Sequence, residues 1–266
     1  MRSGCQWNQL PADFGDDSTV HRWLVRWRQV GLWDRLWATL VEHCDALGAV
    51  DWQWQAADGM MGKARMGGQH VGPNPTDRGK NGTKRSLLVD GQGGPLGLAT
   101  EGANVHDTRL LRPTLEAIIV ERPPVSQVPQ HLCLDKAYDN PTGQKAAEEA
   151  GYIPHIRRIG EPPCAPETRR YPSRRWVVER TLSWLSRCRG ILVRFEKHAE
   201  NAVALLKLAC ALLWYRRCER LANPSEVCGG KSAKRRKECR PFWQRSAGGG
   251  PQELDVPLYL SASVSI

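Results

Sequence analysis

Apolar residues along this chain change period several times, and each change marks an element. Val20, Trp23, Leu24 and Trp27 fall at i, i+3, i+4 and i+7, the spacing of one helix face. Ser18 reads as the N-cap of that helix and Gly31 as its stop. A second helix is expected over about 33–47. From Ala49 the period drops to two: Val50, Trp52 and Trp54 alternate with Asp51, Gln53 and Gln55. That pattern predicts a strand running into Asp58 and stopping at Gly59. Residues 59–84, with seven glycines, read as a long loop. Strand-like runs at 85–90 and 95–100, joined through Gly91, Gly93 and Gly94, predict a hairpin. Asp107 is the natural N-cap of a helix over about 108–120. Leu132 and Leu134 alternate around Cys133 and deliver Asp135 at a strand end. Pro141 opens a helix that Gly151 closes, and 152–159 reads as a further strand. Helices over about 174–190 and 201–217 finish the pattern, the first with Ser173 as its N-cap. After Asn223 the periodicity fails into KSAKRRKECR and SAGGGPQ, so the tail is expected to be loosely ordered. The order of elements makes this an α/β chain.

Charge sharpens one of these helices. The 266 residues carry 38 Lys and Arg against 28 Asp and Glu, a net of +10, which favours a polyanionic partner such as nucleic acid. The excess is clustered: residues 155–198 carry a net of +7, and so do residues 215–245. Within 174–190 the lone carboxylate, Glu179, stands among Arg174, Arg175, Arg180, Arg187 and Arg189. Val178, Thr181, Leu182 and Leu185 give this helix its apolar stripe, and Arg175, Glu179, Ser183 and Ser186 share another face. The nine cysteines form no C-x-x-C pair, so a zinc ribbon is unsupported and reduced cytosolic thiols are expected. The longest apolar run, 208–215, is too short to span a bilayer. Near Lys80 the glycine spacing of a phosphate-binding P-loop is not met.

Two strand ends deliver Asp58 and Asp135, and the arginine-rich helix carries Glu179. Strand ends on one sheet can converge, and three convergent acids repel unless a cation lies between them. All-carboxylate ligation suits Mg²⁺. Two such ions roughly 3.5–4 Å apart can clamp an in-line phosphoryl displacement, with surrounding Lys and Arg on the phosphate backbone. Asp51, Asp90, Asp107 and Asp139 are rival acids that spacing does not exclude. The two helices before Leu47, with basic residues off their apolar stripe, suit either a DNA-lying unit or a plain helical hairpin.

Many stretches in order resemble the bacterial insertion-sequence transposases of the DDE superfamily. They include GCQWNQLPADF, TVHRWLVRWRQVGLWDRL, AADGMMGKA, GANVHDTRLLRPTLEAI, HLCLDKAYD and RRWVVERTLSWLSRCRG. The resemblance covers about 4–217 and implies an RNase H-like mixed sheet flanked by helices, with a small helical N-terminal region. It implies Asp58, Asp135 and Glu179 as catalytic metal ligands for Mg²⁺, two ions, with Mn²⁺ as a substitute. The implied activity is DNA strand cleavage and strand transfer on double-stranded DNA by a homodimer in the bacterial cytoplasm. Of the family's Tyr–Arg–Glu–Lys signature, Arg175 stands four before Glu179 as required. The tyrosine position is Pro172, beside Tyr171, and the lysine position is Ser186, beside Arg187. Lys84, Arg175, Arg180 and Arg187 are the candidate phosphate contacts. Domains are expected at 1–48, 49–222 and 223–266. Family members carry further helices before the GCQW stretch, so the DNA-binding part is expected to be cut short. A catalytically inactive DNA-binding remnant and a general nuclease of the same fold are the alternatives.

Overall fold

The strand that carries Asp58 does not stop at Gly59. In the computed structural model, which describes residues 4–156 and 174–223, β1 spans Trp54–Lys63. Asp58 therefore lies mid-strand. It pairs with Leu87 in an antiparallel ladder that continues to Lys63↔Gly82. Two glycines that read as strand breakers are instead close-approach positions. A Cβ on Gly59 would stand 2.5 Å from Asp107 Oδ1, and one on Gly62 would stand 3.0 Å from the Arg85 guanidinium. The expected 59–84 loop is correspondingly shorter.

In chain order the elements are α1 Asp17–Gln29, α2 Leu32–Ala46, β1, β2 Gly72–Pro73, β3 Asn81–Asp90, β4 Pro95–Gly102 and α3 Asp107–Glu116. Then come β5 His131–Leu134, α4 Pro141–Glu149, β6 Ile153–Ile156, α5 Trp176–Ser186, α6 Arg189–Leu192 and α7 Ala199–Ala222. Strands β4, β3 and β1 are antiparallel neighbours, and β1, β5 and β6 are parallel ones. The short β2 pairs with the start of β3. This is the mixed sheet flanked by helices that the resemblance implied.

Side-chain alternation assigns the helices to faces. Arg85 and Ser86 are neighbours on β3, so they point to opposite faces. Ser86 Oγ accepts a 2.7 Å hydrogen bond from Thr114 of α3, whereas Arg85 donates to the Ile191 carbonyl of α6. The sheet is therefore covered by α3 on one side and by α5 and α6 on the other. The α5 stripe is buried as its spacing predicts: Val178, Thr181, Leu182 and Leu185 are all buried, and Val177 joins them. Each of its aliphatic side chains contributes about 1.5–3 kcal/mol by burial.

Two N-caps differ from expectation. Asp16, not Ser18, caps α1, accepting from the Thr19 amide at 2.9 Å. His106, not Asp107, caps α3, its Nδ1 accepting from the Thr108 amide. Asp107 is left to pair with Lys84. The Ser173 cap, the Tyr171 and Pro172 positions, the end of the 152–159 strand and the tail lie outside the described residues.

The two N-terminal helices pack through α2 on α7. Trp37 of α2 and Trp214 of α7, both fully buried, each donate an indole N–H to the same carbonyl, that of Pro95 at the start of β4, at 3.1 and 2.6 Å. Gly94 makes room for this, since a Cβ there would stand 2.3 Å from the Trp214 ring. Cys44 of α2 and Cys218 of α7 are thiols whose sulfurs lie 3.0 Å apart.

Candidate active site

The parallel register explains why residues 77 apart meet. Trp54 pairs with His131, Gln55 with Leu132 and Ala56 with Cys133. Carrying that register on by two residues sets Asp58 level with Asp135. The ladder itself ends at Ala56↔Cys133, so β1 and β5 part where the acids begin. Asp135 follows β5 directly and leads into a short 3₁₀ turn at Lys136–Tyr138. Glu179 lies in the first turn of α5, whose apolar stripe seats it on β1 and β3.

All three carboxylates reach one guanidinium. Arg175, immediately before α5, stands 2.7 Å from Glu179 Oε1, 3.2 Å from Asp135 Oδ1 and 3.9 Å from Asp58 Oδ2. The acids differ in setting. The Asp58 side chain is 20% exposed, against 40% for Asp135 and 47% for Glu179. Burial pushes the Asp58 carboxyl up to about 6; the Gly59 amide, donating at 2.7 Å, and Arg175 work against this, and the Asp135 and Glu179 charges add to it. Beside them the buried Tyr138 phenol is held above its usual range by burial and by Asp107, Asp58 and Asp135. No periodic signal marked Tyr138. Its place follows from the 3₁₀ turn after β5.

As placed, no group of three acids, histidines or cysteines among the described residues is close enough to hold a metal, and a guanidinium stands between the three acids. The donor set nevertheless fits a hard divalent cation: three carboxylates, oxygen donors alone, from three separate elements, converging on one positive charge.

The basic candidates divide. Arg175 is in the site. Arg187 caps α5 at its C-terminus and is exposed. Arg180 lies between the rings of Trp176 and Trp184, each 4.7 Å away, and donates to the Gln92 carbonyl at 2.6 Å. Lys84 corrects the sequence reading: it is 7% exposed, 3.1 Å from Asp107 Oδ1, and donates to the Val105 carbonyl at 2.7 Å. A buried, doubly engaged ammonium is not presented to a phosphate backbone. The rival acids have other partners. Asp51 meets Arg174, Asp90 meets Arg217 and Asp107 meets Lys84. Asp139 closes the 3₁₀ turn and accepts from Gln144 at 3.2 Å.

Residues 38–214 match a family described as the transposase DDE domain. The chain belongs to the DDE transposase family. Residues 1–37 match a second family, described as a putative transposase of the IS4/5 family. Over 157 residues this transposase chain is 36% identical to a Burkholderia cepacia protein named as a putative transposase for insertion sequence element IS402. That match covers 56% of this chain and 70% of the relative. A second B. cepacia protein, described as an uncharacterized 16.2 kDa protein of the same element, is 34% identical over 77 residues, 28% of this chain and 52% of its own length. Transposase domains of this family use a divalent metal and act on DNA. Among the described residues no helix is long and apolar enough to cross a membrane.

Proposed function

We propose that this transposase cuts DNA at the ends of its element and joins the freed end to a target, with Asp58, Asp135 and Glu179 holding the metal. The observation that carries this reading is the meeting of three acids, from β1, from the end of β5 and from α5, on one guanidinium. The same register and helix stripe that build the sheet would aim them at one point. Bound Mg²⁺, two ions with Mn²⁺ as a substitute, would supply Lewis-acid stabilisation of the attacking and leaving oxygens.

The residues themselves have separable tasks. Asp58, the least exposed acid, would anchor the inner side of the site, and Asp135 and Glu179 the open rim. In cleavage a water oxygen forms a bond to phosphorus as the bond to the 3′ oxygen breaks, leaving a 3′-hydroxyl. In transfer that hydroxyl forms a bond to a target phosphorus and displaces the target's own 3′ oxygen. Exposed Arg187 would take a phosphate of the bound strand, and Arg180 would stiffen the helix that carries Glu179. Residues 1–48 would contribute to gripping the element's end, 49–222 would be the catalytic domain, and 223–266 a basic tail. The working form would be a homodimer on double-stranded DNA in the cytoplasm of a bacterium.

Asp135→Ala tests the assignment. Nicking of end-bearing DNA with Mg²⁺ or Mn²⁺ should fall about a thousandfold or more, the loss of several kcal/mol of transition-state stabilisation. Wild-type cleavage by that variant would show the metal ligands to be elsewhere.

A further inference from the structure

Two arginines of this fold, Arg194 and Arg217, are tied down by fixed partners. Arg194 donates to the carbonyls of Glu196, His70, Gln69 and Lys197, and is buried. Arg217 grips Asp90 and the Ala49 carbonyl. Those contacts, to backbone carbonyls and to a buried carboxylate, fix the guanidinium. Arg175 differs. Among the described residues its partners are the three carboxylates of the site, and its side chain is 36% exposed. Its neighbour Arg174 is anchored to Asp51 at 3.3 Å and over the Trp54 ring at 4.8 Å. The backbone at this point is therefore fastened while the Arg175 side chain has an open side to leave by.

Resting on the metal-ligand reading above, we propose that Arg175 is a displaceable counter-ion, which occupies the place of the metal and must leave it before the metal binds. One guanidinium among three carboxylates leaves two negative charges uncompensated. A divalent ion brings twice the charge in a smaller radius, and the two cations cannot share the space between the same oxygens. The competition is reciprocal: Arg175 weakens metal binding by the factor by which metal weakens the hold on Arg175. The arginine released at that moment stands at the rim of the site, one turn from Glu179, with its charge free for a DNA phosphate. Arming of the site and presentation of a phosphate contact thus become one event.

The test is Mn²⁺ binding by the full 266-residue chain, read from the paramagnetic resonance of the free ion, without DNA. Arg175→Gln should lower the Kd about tenfold, within the range usual for coupled sites, and Arg175→Lys, which keeps the charge, should lower it less. Equal or weaker binding by a folded Arg175→Gln chain overturns the proposal, since it makes Arg175 an orienting residue and not a competitor. Asp135→Asn separates the two readings. If it abolishes Mn²⁺ binding, the metal site stands whatever Arg175 does; if it binds like wild type, the metal site falls and this proposal with it. A measurement on the unmutated chain removes any dependence on variant folding. On adding Mg²⁺, the arginine Nε–H resonance that Arg175→Lys deletes should shift and begin to exchange with water. An unmoved resonance at saturating Mg²⁺ overturns the displacement.

Discussion

Asp90 and Asp58 are both strand carboxylates answered by an arginine, and the fold treats them in opposite ways. Asp90 is fully buried and accepts from the amides of Gly94 at 2.5 Å, Gln92 at 3.1 Å and Asp51 at 3.2 Å, and from Arg217 at 2.7 Å. Every lone pair it can offer is used. Asp58 is also largely withdrawn from water, yet it receives the amide of Gly59 and a guanidinium 3.9 Å away. The first acid is a joint: it closes the β3–β4 turn and ties α7 to it. The second is buried with fewer donors to offset that burial, so its proton is hard to remove. Saturation with donors separates the structural carboxylate from the one proposed to hold a cation, a distinction that residue type and spacing do not carry.

Breaking the joint should have the largest effect. Asp90→Ala leaves the largely covered Arg217 without its acid and three amides without an acceptor, and should destabilise the chain by about 3–5 kcal/mol in chemical unfolding. Loss below about 1 kcal/mol would erase the contrast. At Asp58 the sign reverses. Its carboxyl titrates near 6 when folded and near 3.8 when unfolded, so between those values the folded chain holds the extra proton. Stability therefore falls as pH rises through about 4 to 6. Asp58→Asn removes that penalty. Without metal it should stabilise the chain by roughly 2 kcal/mol at pH 7.5 and change little below pH 4. Urea unfolding at the two pH values checks this, and a destabilised Asn variant at pH 7.5 would mean that Asp58 is as well satisfied as Asp90. The smallest effect belongs to exposed Arg187. Arg187→Ala should leave stability within about 0.5 kcal/mol and reduce the slope of log K against log salt for DNA binding by about 0.9.

Periodicity made much of this visible from the sequence. The α5 stripe and the β3–β4 hairpin lie where the apolar spacing puts them, whereas on the α1 face Leu24 alone is buried and Trp23 and Trp27 stay exposed. The 77-residue interval between Asp58 and Asp135 turned out to be the register offset of β1 against β5. What periodicity concealed was tertiary. Gly59 and Gly62 resemble breakers until the Asp107 carboxylate and the Arg85 guanidinium are seen against them. Lys84 looks like surface charge on a glycine-rich loop and Arg85 opens a predicted strand, but strand pairing with β1 and β4 carries both inward. Arg175 reads as half of an ordinary i,i+4 pair with Glu179, because the other two carboxylates come from strands far away in the chain. The same holds for the caps: Asp16 and His106 each stand one or two positions before Ser18 and Asp107, which local chemistry alone would choose.

The shared carbonyl of Pro95 has a mechanical consequence. Two indoles, one from the N-terminal hairpin and one from α7, are pinned to the first residue of β4. The hairpin is thereby locked to the sheet like a jaw bolted to its vice. The grip proposed for α1 and α2 would then be offered to Asp58, Asp135 and Glu179 at a fixed reach, so a change in the length of DNA between grip and cut would have to be taken up by the DNA and not by the protein.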